Sequence, residues 1–222
     1  VHAPSGAVDG HGGVVNILNL NAGMHSDDWD HLMSLAQRLT LGPDKRLRIA
    51  PVGASASLRG QHDSVGKILL PANEEIVLES ITGNTLELEL EIDPRSARWV
   101  QLNVLRSPKA EEQTTITLYN GDRTISTWYH MLSAVCLDGS RSSVLPDVWP
   151  RAPETAQVER GTDPFRLRVF IDRSIVEVFV NERQYLAMRV YPARADSLGI
   201  SLRAQGNDAL LRKMDAWQLQ AI

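Results

Sequence analysis

One cysteine in 222 residues, Cys136, leaves no partner for an intrachain disulfide, so covalent staples play no part in holding this fold. Within SAVCLDG it reads as a small buried strand residue. The count does not fix the compartment, because secreted domains also fold without disulfides; a secreted or periplasmic setting is slightly favoured over a cytoplasmic one. Aromatic residues make up only 5% of the chain, so most rings are expected to serve the core. No apolar run approaches the roughly 20 residues of a membrane-spanning helix. The net charge is -4, with 23 basic and 27 acidic residues and no basic cluster, which argues against a nucleic-acid partner. Gly-x-Ser-x-Gly, a phosphate-binding glycine loop and His-Glu-x-x-His are all missing, and no cofactor motif is present. Asp27, Asp28 and Asp30 lack the glycine and distant glutamate of a calcium loop, so no metal is expected. His2 and His11 read as solvated loop residues, and Asp208, Asp215 and His62 are scattered along the chain. The first residue is Val1, with neither Met nor an apolar leader, which reads as a cut from something longer.

What the chain does have is period-2 alternation. In residues 165–192, FRLRVFIDRSIVEVFVNERQYLAMRVYP, three apolar-alternating runs are separated by Asp172-Arg173-Ser174 and Asn181-Glu182-Arg183. That pattern predicts a three-strand meander, which needs a second apolar layer to cover it. Residues 86–92, LELELEI, place leucines inward and glutamates outward on what reads as a solvated face. Further strands are expected at 14–20, 32–35, 39–41, 47–49, 65–70, 75–78, 100–105, 114–119, 125–136, 200–202 and 210–219. Residues 1–13 read as a loose arm, 51–60 as a small-residue linker, and the proline-rich 146–164 as a long surface loop. No helical period of useful length and no fixed-period repeat appears. Trp217, in a closing strand, is expected in the core.

The 165–192 stretch resembles the signature of the C-terminal β-sandwich of glycoside hydrolase family 32, the invertase, inulinase and levanase family. WDHLMSLAQRLTL (29–41) and LRIAPVGASASLRG (47–60) are similar to that family's exit from its catalytic propeller. DSLGISLRAQGNDALLRKMDAWQL (196–219) resembles its closing strands. Ala36-Gln37 departs from the family's usual Pro-Arg. The resemblance implies an all-β fold: an antiparallel two-sheet sandwich of jelly-roll or lectin-like type over 61–222, preceded over 1–60 by an arm, a remnant of the last propeller strands and a connector. It also implies a catalytic β-propeller as partner, which the sandwich buttresses.

Retaining glycosidases set two carboxyl groups about 5 Å apart. The family draws its own from Trp-Met-Asn-Asp-Pro-Asn-Gly, Arg-Asp-Pro and Glu-Cys motifs. None occurs here: Ile92 and Thr162 precede the two Asp-Pro pairs, and Val135 precedes Cys136. No catalytic residue carries over. Two other readings remain open, a stand-alone carbohydrate-binding module and a self-associating structural domain. For sugar binding, Trp128, Tyr129, His130 and Trp149 are the aromatic candidates, since a ring stacks on a sugar's apolar face.

Overall fold

The computed structural model describes residues 2–27, 30–121, 123–126 and 129–220, with backbone alone over 123–126 and 129–131. Residues 2–51 form one antiparallel sheet of β1 (His2–Val8), β2 (Val14–Leu20), β3 (Leu32–Met33), β4 (Gln37–Leu41) and β5 (Leu47–Pro51). Its order is β1-β2-β4-β5, with β3 also against β2. The expected loose arm is therefore a strand. Its glycines are turn residues: Gly10 and Gly12 take φ of 73° and 80°, where a Cβ is disfavoured. The Asp9 carboxylate closes that turn by accepting the His11 and Gly13 N–H groups (2.7 and 2.8 Å) and Arg38 Nε (2.6 Å).

A 3-10 turn, Gly53–Leu58, occupies the expected linker and leads into the rest of the chain. There follow β6 (Arg59–Val65), β7 (Ile68–Leu70), β8 (Glu75–Val77), β9 (Thr85–Asp93), β10 (Trp99–Arg106), β11 (Thr114–Tyr119), β12 (Arg123–Ser126) and β13 (Tyr129–Met131). Next come β14 (Ala134–Asp138), β15 (Glu154–Gln157), β16 (Phe165–Asp172), β17 (Ile175–Val180), β18 (Gln184–Arg189), β19 (Gly199–Gln205) and β20 (Ala209–Leu219). One sheet runs β15-β14-β11-β10-β19-β8 and the other β18-β17-β16-β9-β20-β6, with β7 beside β20. The described residues are thus all-β, as two packed antiparallel sheets.

The inward sides of the sheets make one core. Leu86, Leu88 and Leu90 of β9 lie in register with Ile171, Val169 and Leu167 of β16. They pack with Val100, Leu102, Ile116 and Leu202 from the opposite sheet. Each such burial stabilises by about 1.5–3 kcal/mol. The meander forms as its alternation predicts, and Arg173, Asn181 and Glu182 adopt positive φ in its turns. Three boundaries differ from the sequence reading. The 65–70 run breaks at Gly66-Lys67 into β6 and β7. The 125–136 run folds back as the β12–β13 hairpin before β14. The expected loop 146–164 contains β15, a polar edge strand whose alternation carries no apolar signal.

The outward side of β9 is solvated only in part: Glu89 and Glu91 keep some exposure. Glu87 is fully buried, beneath arginines that flanking strands contribute to the same face. Arg59 reaches both its oxygens (Nε 2.8 Å, Nη2 2.6 Å) and Arg168 Nε reaches Oε1 (3.0 Å). Burial alone would raise the Glu87 carboxyl, but the two guanidiniums outweigh it and hold it below the usual carboxylate range. Trp217, paired with Glu87 in the ladder, also faces outward rather than into the core. Arg59 lies over its ring at 3.7 Å and His62 stacks on it at 4.9 Å.

Candidate functional site

The alternation of β17 puts Glu177 and Phe179 on that same outward side. The N-terminal sheet covers them, which is why all six residues of β17 are buried. Leu35, between β3 and β4, donates its N–H to Glu177 Oε1 (2.9 Å), and the Tyr185 hydroxyl donates to Oε2 (2.5 Å). Leu20, Ile175 and Ala187 form a small apolar cluster beside them, with Leu32 and Tyr185 packed against it. Burial pushes the Glu177 carboxyl up, the Asp172 charge adds to this, and the Tyr185 and Leu35 bonds only partly oppose it. Burial likewise raises the Tyr185 phenol. Ile49 N–H donates to the Glu182 carbonyl (2.9 Å), and Arg183 pairs with Asp44 and donates to the Leu47 carbonyl (3.3 Å). The two parts of the chain are therefore joined by a hydrogen-bonded junction with Glu177 buried at its centre.

Beside it lies a cleft of about 880 Å³ between β5 and the sandwich, lined by Arg48, Arg166, Arg168, Lys213, Glu89 and Glu91 among others. Three of its carboxylates are held in ion pairs, Glu159 by Arg46. Glu91 pairs with Arg212 (3.0 Å) and Arg166 (3.6 Å), and Glu89 with Arg168 (3.1 Å) and Arg59. His62 and Asp215, scattered in sequence, meet at 2.9 Å because β6 pairs with β20. Asp208 lies apart, accepting the Ala72 N–H. Among the described residues no three His, Cys, Asp or Glu side chains gather to hold a metal ion.

Of the aromatic candidates, Trp128 lies outside the described residues, and Tyr129 and His130 are described only as backbone of β13. Trp149 is half-exposed and borders a hollow of about 530 Å³ with His2, Asn21, Asp30, His31 and Arg151. The sequence reading missed Glu112, a fully buried carboxylate that holds three loops. Its signal was absent, because its carboxylate's partners lie 32 to 85 positions away. Glu177 did leave a trace: it is the one charged residue in IVEVFV, eight positions before a tyrosine.

The sandwich has its buried carboxylates Glu87, Glu112 and Glu177 tied into ion pairs and hydrogen bonds, and a smaller sheet is clamped to one of its faces. Residues 55–218 match the family model "Glycosyl hydrolases family 32 C terminal". The chain belongs to that family. It is similar to the raffinose invertase of Escherichia coli, 43% identical over 84 residues, 37% of this chain and 14% of that protein. It is also similar to the sucrose-6-phosphate hydrolase of Escherichia coli, 27% identical over 194 residues, 87% of this chain and 36% of that protein. Fructan 1-exohydrolase IIa from Cichorium intybus superposes with a TM-score of 0.85 at 16% identity, over 99% of this chain and 48% of that one. Sucrose-6-phosphate hydrolase from Lactobacillus gasseri does so at 0.74 and 19%, over 99% and 41%. These superpositions show a shared fold. The chain spans less than half the length of each of these proteins.

Proposed function

We propose that this chain is the supporting, non-catalytic portion of a family 32 glycosidase that cleaves fructosyl linkages of sucrose or a fructan. In this reading residues 1–60 are an arm, the last propeller strands and the connector, and 61–222 are the sandwich that backs the catalytic propeller. The Glu177 junction carries the reading, since a buried, hydrogen-bonded carboxylate fixes the small sheet to the sandwich rather than leaving a hinge. The far edge of that sheet is uncovered: every residue of β1 is exposed, as are Val8, Met33 and Leu41. An unpaired strand edge is open to further pairing, and we assign this one to the propeller. The purified chain incubated with sucrose, inulin and levan is expected to release no fructose. Turnover that follows the pure protein through fractionation would overturn the proposal. The same uncovered residues favour one second reading, a homo-oligomer closed through β1, and a strict monomer in light scattering would count against it.

A further inference from the structure

Trp149 and Tyr119 are the exposed rings among the described aromatics, and Trp149 is the more exposed. The rings of Phe165, Phe170 and Phe179 are buried, whereas Trp149 is 53% exposed. Its backbone is nonetheless tied down, because its N–H donates to the Gly23 carbonyl at 2.7 Å. Gly23 in turn donates its N–H to the Tyr191 hydroxyl at 2.7 Å. A Cβ on Gly23 would sit 2.9 Å from the Tyr191 ring, so this approach requires glycine. Arg189 Nη1 also reaches the Asp30 carbonyl (3.4 Å). Bonds between segments more than 100 residues apart thus fix the β2–β3 loop against the Trp149 loop. The hollow between them exists before any ligand arrives, which lowers the ordering cost of binding.

Its lining has a definite chemistry. Asp30 offers an acceptor, Arg151 a donor, and His2 and His31 meet edge-on with ring centroids 6.0 Å apart. Asn21 Oδ1 is buried with no hydrogen-bond partner, an acceptor left without a donor at the hollow's wall. One aspartate and one arginine balance, so nothing selects for an anion. A flat ring beside convergent donors and acceptors suits a neutral sugar, which presents C–H groups on one face and hydroxyls at its rim. The volume accommodates one or two sugar rings.

We propose that this hollow is a saccharide-binding subsite: Trp149 carries the apolar face of one sugar ring, and Asp30 and Arg151 take its hydroxyls. The site is separate from the supporting role, because it needs neither turnover nor a docked propeller. Calorimetry and tryptophan fluorescence on the full chain with 1-kestose are the test, with glucose 6-phosphate as the anionic comparison. The expected result is a dissociation constant on the order of 1 mM for 1-kestose, and no gain for the phosphorylated sugar. Trp149→Ala weakens binding at least about tenfold, a change of about 1.4 kcal/mol, while its unfolding midpoint stays at the wild-type value. Arg151→Ala also weakens it, and Trp128→Ala leaves it unchanged. No binding by the wild-type chain overturns the proposal, as does binding that survives Trp149→Ala or is lost only in Trp128→Ala. Fructose release, by contrast, would overturn the supporting role and leave this site standing.

Discussion

Replacing Glu112 with alanine is expected to destabilise the chain by about 3–5 kcal/mol in urea denaturation, the cost of stranding several buried donors at once. Oε1 accepts the Val144 and Ala193 N–H groups (2.8 and 2.9 Å), and Oε2 accepts the Arg194 N–H (3.1 Å) and the Ser197 hydroxyl (2.6 Å). One carboxylate thus pins the 142–145 and 193–197 segments to the loop after β10. Glutamine keeps one accepting oxygen and loses the other, so Glu112→Gln should cost about half as much. Burial alone would raise this carboxyl, but the Ser197 hydroxyl and the three N–H groups prevail and hold it below its usual range. Its contribution is therefore complete above the unfolded glutamate value, about 4.3, and is lost as pH falls through the lower folded value. An alanine variant within about 1 kcal/mol of wild type would show that these segments are held by something else.

Glu177 should behave with the opposite sign. Its folded carboxyl is raised by burial, so its stabilising contribution is complete below the unfolded value and is lost as pH rises through the folded one. The groups around it are the Tyr185 hydroxyl, the Leu35 N–H and the Asp172 charge, with Ser34 and Gln37 beyond Tyr185. Glu177→Gln keeps the shape and an acceptor for Leu35 while removing the charge. It is expected to exceed wild type in stability near pH 8, and the advantage should shrink toward pH 4.5. Glu177→Ala strands the Leu35 N–H and the Tyr185 hydroxyl and should cost about 1–3 kcal/mol. Denaturation midpoints across that pH range check both. A glutamine variant less stable than wild type at every pH would mean that the ionised form is the one the junction requires.

The sandwich was legible wherever alternation met a turn. Strands β16 to β18 are bounded by side chains that tolerate positive φ, and their inward valines and leucines form the observed core. Alternation tells which side of a strand a residue faces, not what lies over that side. Glu87 therefore read as solvent-facing although arginines bury it, and nothing in the alternation told that a second sheet covers Glu177. Strand β1 was hidden because His-Ala-Pro-Ser-Gly-Ala-Val carries no apolar period; its pairing with β2 supplies what its composition lacks. Trp217 misled in the same way, being taken for core when its neighbours Met214 and Ala216 are the inward residues. Trp149 was picked out as a ring, but its hollow depends on loops distant in sequence.

The supporting role requires this chain's buried acids to be fasteners rather than reagents. A carboxyl-carbon NMR titration of the full chain reads that directly. Glu87 and Glu112 should remain ionised well below the ordinary glutamate range, while Glu177 titrates above it. Glu87 or Glu112 titrating above that range together with a second carboxyl, in the two linked steps of an acid–nucleophile pair, would contradict it.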